Sequence, residues 1–363
     1  MVTFFYTLST LIKDILVLVL PAVIFIFMTS FLIEFNSGVI LFVIGLLGCI
    51  VASNTLVTFY SYGMFSLLHP LVIDTTQHVA NLNPVPTIMP MFTLPIKKIV
   101  DNNIALLSGL FMGILLAYLQ NSILIQGFKY ARETSIRLLR NVLTPIIPLF
   151  IFGFILKLQK EDILEQMITV YSKVFIVILI VMMLYISVMY VVLAKGNVIK
   201  AFKTMKVFFP AAITAFSTMS SMAAYPLTLE CAQKISKNPR LTQGILTSSV
   251  NIHLMGVGIA IPIMAMTVMM YFGHPFPPLW TYSLFAYYLI RAKFTVAAIP
   301  GGSMVIAIPI LEEYLGFSGE MSALMMSLYM LVDPFSTTTN VLGNGAFSLI
   351  MTRLFSPTYK HKS

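Results

Sequence analysis

Apolar positions along the chain fall in long unbroken runs, each near the roughly 20 residues a helix needs to cross the hydrocarbon core of a bilayer. Such runs lie near residues 11–34, 38–70, 97–120, 135–157, 167–194, 242–272 and 318–352. They predict an all-α integral membrane protein, a multi-span helical bundle. Two further apolar stretches, 200–236 and 282–313, are interrupted near their middles by small and turn-forming residues, in Ser217 to Pro226 and in Thr295 to Ser303. Each predicts a re-entrant helical hairpin that enters the membrane and returns, and both tips carry Ala-Ala-Xaa-Pro, at Ala223 to Pro226 and Ala297 to Pro300. Open backbone at membrane depth is tolerated only where it is buried in protein or lines a wet cavity. Paired interrupted segments are therefore the sequence pointer to a transport site. Two kinked ordinary spans are the plainer alternative.

Composition agrees with lipid as the solvent: 58% of the 363 residues are hydrophobic and 10% charged, with a mean hydropathy of +0.93. The net charge of +9 does not indicate nucleic acid, because Lys and Arg sit in short clusters between apolar runs instead of along one polar face. These clusters are Lys129, Arg132, Arg137 and Arg140; Lys195, Lys200, Lys203 and Lys206; Lys234, Lys237 and Arg240; and Arg353, Lys360 and Lys362. The positive-inside rule puts them, and the C-terminus, in the cytoplasm. The connections His69–Pro90, Tyr271–Leu279 and Glu312–Glu320 hold no Lys or Arg and are expected outside. The first hairpin then opens from inside and the second from outside. Cys49 and Cys231 support neither a disulfide framework nor a zinc site. The first apolar run reads as a retained span, since no small-residue cleavage site follows it.

The final span carries the strongest chemical signal. Asp333, Ser336, Thr337, Asn340 and Asn344 are spaced i, i+3, i+4, i+7 and i+11 and share one helix face. Ionisable groups within spans are rare and usually face a cavity or a partner, so Asp333 is a candidate ligand for substrate, the alternative being a carboxylate paired to a buried Lys. Pro334 beside it is expected to distort the helix and free backbone carbonyls. Lys293, just before the second tip, either snorkels to the surface or fills a cation site. His253, in Asn251-Ile252-His253, could carry a proton or be a hydrogen-bonded core group. Ser220 and Ser221 offer hydroxyls and tip amides to a carboxylate, or else pack as small residues at a helix crossing.

These residues resemble the glutamate-transporter family, the dicarboxylate/amino-acid:cation symporters, from about residue 10 to the C-terminus. Thr214-Ala215-Phe216 with Ser220-Ser221 is similar to the family's first hairpin, Ala298-Ile299-Pro300-Gly301-Gly302 to its second tip, and Asp333 with Asn340-Val341-Leu342-Gly343 to its last helix. The resemblance implies that Asp333 holds a substrate amino group and Asn340 its carboxylate. Ser220 and Ser221 at the first tip, and Ala298, Ile299 and Gly301 at the second, complete that site together with Ser336 and Thr337. It also implies a homotrimer in the bilayer that moves a small-molecule substrate, an amino acid or carboxylate, with a coupling cation, H+ or Na+. Residues 1–128 and 129–199 would form the scaffold, 200–355 an elevator-like transport core, and 356–363 a cytoplasmic tail. The family's first span has no counterpart here, so the N-terminus is expected outside.

The departures from the family shift the expected chemistry. Its side-chain-reading arginine falls on Ser336, which removes the bidentate partner of a second substrate carboxylate and favours a small neutral amino acid. Its seventh-helix Asn-Met-Asp-Gly-Thr motif reads His253-Leu254-Met255-Gly256-Val257, and an aspartate that would close a sodium site is Asn344. A serine near another sodium position is Lys293. Hard cations want anionic and carbonyl oxygens, so sodium coupling is expected to give way to protons, with His253, Lys293, Asn251, Asn340 and Asn344 as the ion-coupling candidates. A sodium- or proton-coupled glutamate/dicarboxylate symporter is the alternative within the family. From other classes, an anion channel or a non-transporting paralogue stays open. An intramembrane hydrolase lacks both a Gly-Xaa-Ser-Xaa-Gly elbow and a His-Glu-Xaa-Xaa-His motif, so no enzyme is expected. Compact size and the absence of a glycosylation pattern suggest a bacterial inner membrane.

Overall fold

The computed structural model describes residues 1–33, 40–72, 89–92, 100, 102–138, 141–142, 144–160, 164–296 and 301–359. Among these residues there are fourteen α-helices and no strand. The first apolar runs form α1 (Val2–Ile33), α2 (Ile40–Val72) and α3 (Asn102–Leu119). An amphipathic α4 (Ser122–Leu138) carries one basic cluster and leads into α5 (Thr144–Lys160) and α6 (Leu164–Leu193). The first interrupted stretch is α7 (Val198–Val207), α8 (Phe209–Thr218) and α9 (Ser221–Ile235), followed by α10 (Pro239–Ser249) and α11 (Met255–Tyr271). The second is α12 (Leu279–Ala292) and α13 (Gly302–Leu315), before α14 (Gly319–Tyr359). Ile44–Pro70 and Tyr171–Leu193 are long and apolar enough to cross a membrane.

The helices sort by packing into two groups. α1 lies against α3, α4 and α5. These crossings are close, since a Cβ on Gly109 of α3 would fall 2.8 Å from the Phe25 carbonyl and Thr29 Oγ1 donates to Gly109 O at 3.2 Å. Without a hydrophobic drive between spans, small residues and such bonds hold helices together. The second group is built round α11 and α14, which pack on each other and collect α2, α6, α8, α9 and α10. Every residue of α11 is buried, as expected of a helix apolar all round at the centre of a bundle. α5 joins the groups through α14 and α6.

One expectation differs from the structure. The run 242–272 is not one helix: it stops at Ser249 and resumes at Met255. The Asn54 side chain fills the break, its amide donating to Ile252 O at 2.8 Å and its Oδ1 accepting from Leu254 N at 3.3 Å. The run 318–352 is one helix as expected, and α14 continues through Pro334 for 41 residues. One proline removes a single N–H, and packing of α14 on seven neighbouring helices outweighs that loss.

Candidate functional site

The first interrupted stretch turns where the sequence is richest in small polar residues. α8 ends at Met219, whose φ of 49° is left-handed, and Ser220 caps α9 by accepting from Ala223 N at 3.3 Å. α8 and α9 pack against each other, so the Met219-Ser220-Ser221 turn projects as a tip with Ser221 buried. α12 and α13 likewise pack together. Their connection includes a 3-10 turn at Lys293–Thr295 and Gly301 at a φ of 71°. Ala298 and Ile299 lie outside the described residues.

Both turns meet α14 at Asp333. Its Oδ2 accepts from Gly301 N at 2.8 Å, and its Oδ1 lies 3.4 Å from the donating Thr337 Oγ1. A cavity of about 30 Å³ at this junction is lined by Asp333, Thr337 and Asn340, by Met219, Ser220 and Ser221, by Val250, Asn251 and Leu254, and by Val296 and Ser303. Its polar groups are one carboxylate, two amides and four hydroxyls, with no Lys, Arg or His among them. Asn340 Oδ1 accepts from Gly256 N at 2.8 Å, which fixes that amide against the first turn of α11.

Ser336 is fully buried and does not line the cavity. Its backbone lies where a Cβ on Gly256 would have to sit. Among the described residues its hydroxyl and that of Tyr329 find no hydrogen-bond partner of good geometry, although Tyr329 lies among Asp333, Ser336 and Ser303.

His253, Asn344 and Lys293 form a second cluster, separate from the cavity. Asn344 donates through Nδ2 to His253 O at 3.1 Å, which turns its Oδ1 toward His253 Nδ1, 3.0 Å away. The ring thus donates from Nδ1, and Nε2 lies 2.8 Å from Ser53 Oγ, so both ring nitrogens are engaged. Lys293 does not snorkel: it is 1% exposed. Among the described residues its ammonium reaches Thr58 Oγ1 at 3.3 Å and Asn54 Oδ1 at 3.4 Å, and a Cβ on Gly258 would lie 2.6 Å from Nζ. Arg291 instead lies over the faces of Tyr287 and Tyr288.

Sequence reasoning missed Ser53, Asn54 and Thr58, which supply α2's side of this cluster. Asn54, Thr58 and Ser61 are spaced i, i+4 and i+7 within an apolar run, the signal that singled out Asp333. Ser303 was also missed. It lies two residues beyond the second tip and lines the cavity.

An all-α chain with membrane-crossing helices, whose interrupted segments converge on a buried carboxylate and a polar cavity, has the make-up of a secondary transporter embedded in the bilayer. Residues 1–354 match the model of the sodium:dicarboxylate symporter family, and the chain belongs to that family. It is 28% identical over 165 residues to a putative sodium-dependent excitatory amino acid transporter, glt-4, of Caenorhabditis elegans, covering 45% of this chain and 32% of the relative. It is 25% identical over 182 residues to a proton/sodium-glutamate symport protein of Geobacillus stearothermophilus, covering 50% of this chain and 43% of the relative. The matched stretches thus span less than half the length of these curated relatives.

Proposed function

We propose that this protein is a symporter for a small neutral amino acid, driven by protons in place of sodium and working by an elevator motion. The observation that carries this reading is the cavity lining. Asp333 offers the one charge there, suited to a substrate ammonium, while the amides and hydroxyls of Asn340, Asn251, Ser220 and Ser221 suit a carboxylate. A second substrate carboxylate would meet no cation in the lining. The names of the relatives favour glutamate, and this lining argues against it for the present chain.

The cavity holds about two water molecules, too little for an amino acid, so binding requires a tip to open. The hydrogen bond from Gly301 N to Asp333 ties the start of α13 to α14. We keep residues 200–355 as the moving unit and add to that expected division α2 and α6 from the scaffold stretch 1–199, because they pack on α11, α12 and α14. α1, α3, α4 and α5 remain as the scaffold, and a homotrimer would assemble through it. Coupling by protons is supported by the His253–Asn344 pair and the ammonium of Lys293, where the described residues bring no anionic oxygen for a sodium ion.

The test is uptake of a labelled amino-acid panel into proteoliposomes, with sodium and proton gradients imposed separately and Asp333→Asn as control. Proton-driven uptake of a neutral amino acid, abolished by the substitution, is expected. Sodium-driven glutamate uptake overturns both the substrate and the coupling.

A further inference from the structure

We propose that α7 and α8 together form a docking site for an anionic phospholipid, with its headgroup on the lysines of α7 and its acyl chains along α8. The proposal is independent of the substrate and of the coupling ion.

α7 is a helix that the protein core occupies on one side only. Asn197 caps it by accepting from Lys200 N, and Ala201 is its buried residue. At 100° per residue, Val198, Phe202 and Ile199 lie within one sector about 100° wide, and they are 66%, 63% and 71% exposed. Lys206 falls inside that sector and Lys203 and Lys200 follow beyond it. All three lysines are exposed. An apolar wedge edged by ammonium groups is how a helix lies in the plane of a membrane interface. None of the described carboxylates pairs with these lysines. Charge that the protein does not neutralise, beside apolar surface that it does not cover, is complementary to a molecule with a phosphate at one end and hydrocarbon at the other.

The hydrocarbon side continues into α8. Phe209, Ile213 and Phe216, at i, i+4 and i+7, are 63%, 54% and 44% exposed, while the same helix buries Ala211, Ala212 and Ala215 against its neighbours. Phe209 follows Lys206 by three residues, so the basic end of α7 and the apolar row of α8 adjoin. From Phe209 to Phe216 the helix rises about 10 Å, enough to bed part of an acyl chain.

The joint between the helices is fixed. Phe208 is fully buried, its ring lies against Gly345 of α14 and 6.1 Å from that of Tyr190. α8 then leads to the tip at Met219 and Ser220 that lines the cavity. A lipid held here would fix the arm that carries the tip.

The experiment titrates the full-length protein, in a neutral detergent, with fluorescent phosphatidylglycerol. Phosphatidylcholine of the same chains and inorganic phosphate serve as competitors. Phosphatidylglycerol is expected to bind and to weaken as salt is raised. Replacing Lys200, Lys203 and Lys206 together by Gln should weaken it about a hundredfold, at roughly fivefold per lysine. The triple Lys→Arg variant should retain it, and Ile213→Ser should weaken it without changing the salt dependence. Equal binding of phosphatidylcholine overturns the proposal in favour of unspecific lipid solvation. Displacement by millimolar phosphate overturns it in favour of a simple anion patch. Unchanged affinity in the Gln variant places the lipid elsewhere.

Discussion

Lys157 Nζ, near the end of α5, lies 2.5 Å from Glu320 Oε1 in the first turn of α14. Tyr6 of α1 completes the group, its hydroxyl 3.5 Å from the same oxygen and its ring 4.8 Å from the ammonium. Lys157 is buried, and the pair bridges the two helix groups, α1 and α5 on one side and α14 on the other. Any sliding of α14 past α5 has to break it. With Lys157 enclosed and Glu320 partly open, Lys157→Met or Glu320→Gln alone is expected to cost about 2 kcal/mol, between the ranges for surface and buried pairs. The double variant should cost less than the sum of the two, as read from thermal unfolding in detergent. Joining Lys157→Cys to Glu320→Cys with a reducible bifunctional thiol reagent, long enough to replace the two side chains, should stop transport while leaving substrate binding, with recovery on reduction. Transport by the cross-linked protein at the parental rate would show that the two groups do not move apart.

Asp333 binds Gly301 N across the junction of the second tip and α14. Hydrogen bonds to a charged group contribute about 1.5–3 kcal/mol, and the same carboxylate is the proposed partner of the substrate ammonium. Asp333→Asn should weaken binding at least about 10- to 100-fold in calorimetry, with the melting temperature little changed because the amide is isosteric. Parental affinity in this variant would remove Asp333 from the site.

Two glycines give opposite outcomes from one substitution. At Gly256, α11 approaches α14 so closely that a Cβ would overlap the Ser336 backbone, whereas at Gly244 of α10 nothing lies within 4 Å. Gly256→Ala is expected to destabilise by about 1–3 kcal/mol or more. Gly244→Ala should stabilise by roughly 0.4–1 kcal/mol, since alanine restricts the unfolded chain and suits a helix interior. Thermal unfolding of the two variants side by side is the check, and equal shifts would contradict the close crossing.

The same contrast explains how much could be read from the sequence. The Asp333–Asn344 stripe and the small-residue interruptions are local patterns, because a polar group in a span is conspicuous against its own neighbours. The break at residues 250–254 is not local. It depends on Asn54, about 200 positions earlier, supplying the hydrogen bonds the helix gives up, and nothing between Ser249 and Met255 announces that partner. The continuity of α14 through Pro334 was legible as the apolar run 318–352, because a long run is itself a local pattern. Ser336 illustrates the limit at the site itself. Its register on the helix puts it with Asp333, yet the close approach of Gly256 turns the position away from the cavity lining.

Lys293 is where stability and function are expected to part. Its ammonium is buried between α2 and α11 with two long bonds to neutral oxygens, and among the described residues no carboxylate pairs with it. Burying a charge without a counter-ion costs several kcal/mol even after relaxation. Lys293→Met keeps most of the volume and removes the charge, so the variant is expected to be the more stable protein, with a higher melting temperature. If the ammonium carries the coupling charge, the same variant loses uptake against a gradient while still exchanging internal for external substrate, because exchange needs binding and movement but no net cation. A Met variant that is more stable and accumulates substrate normally would make Lys293 a structural burden and shift the coupling role to His253. A less stable variant would mean that the bonds to Asn54 and Thr58 hold α2 to the core, and the coupling assignment would then rest on the exchange measurement.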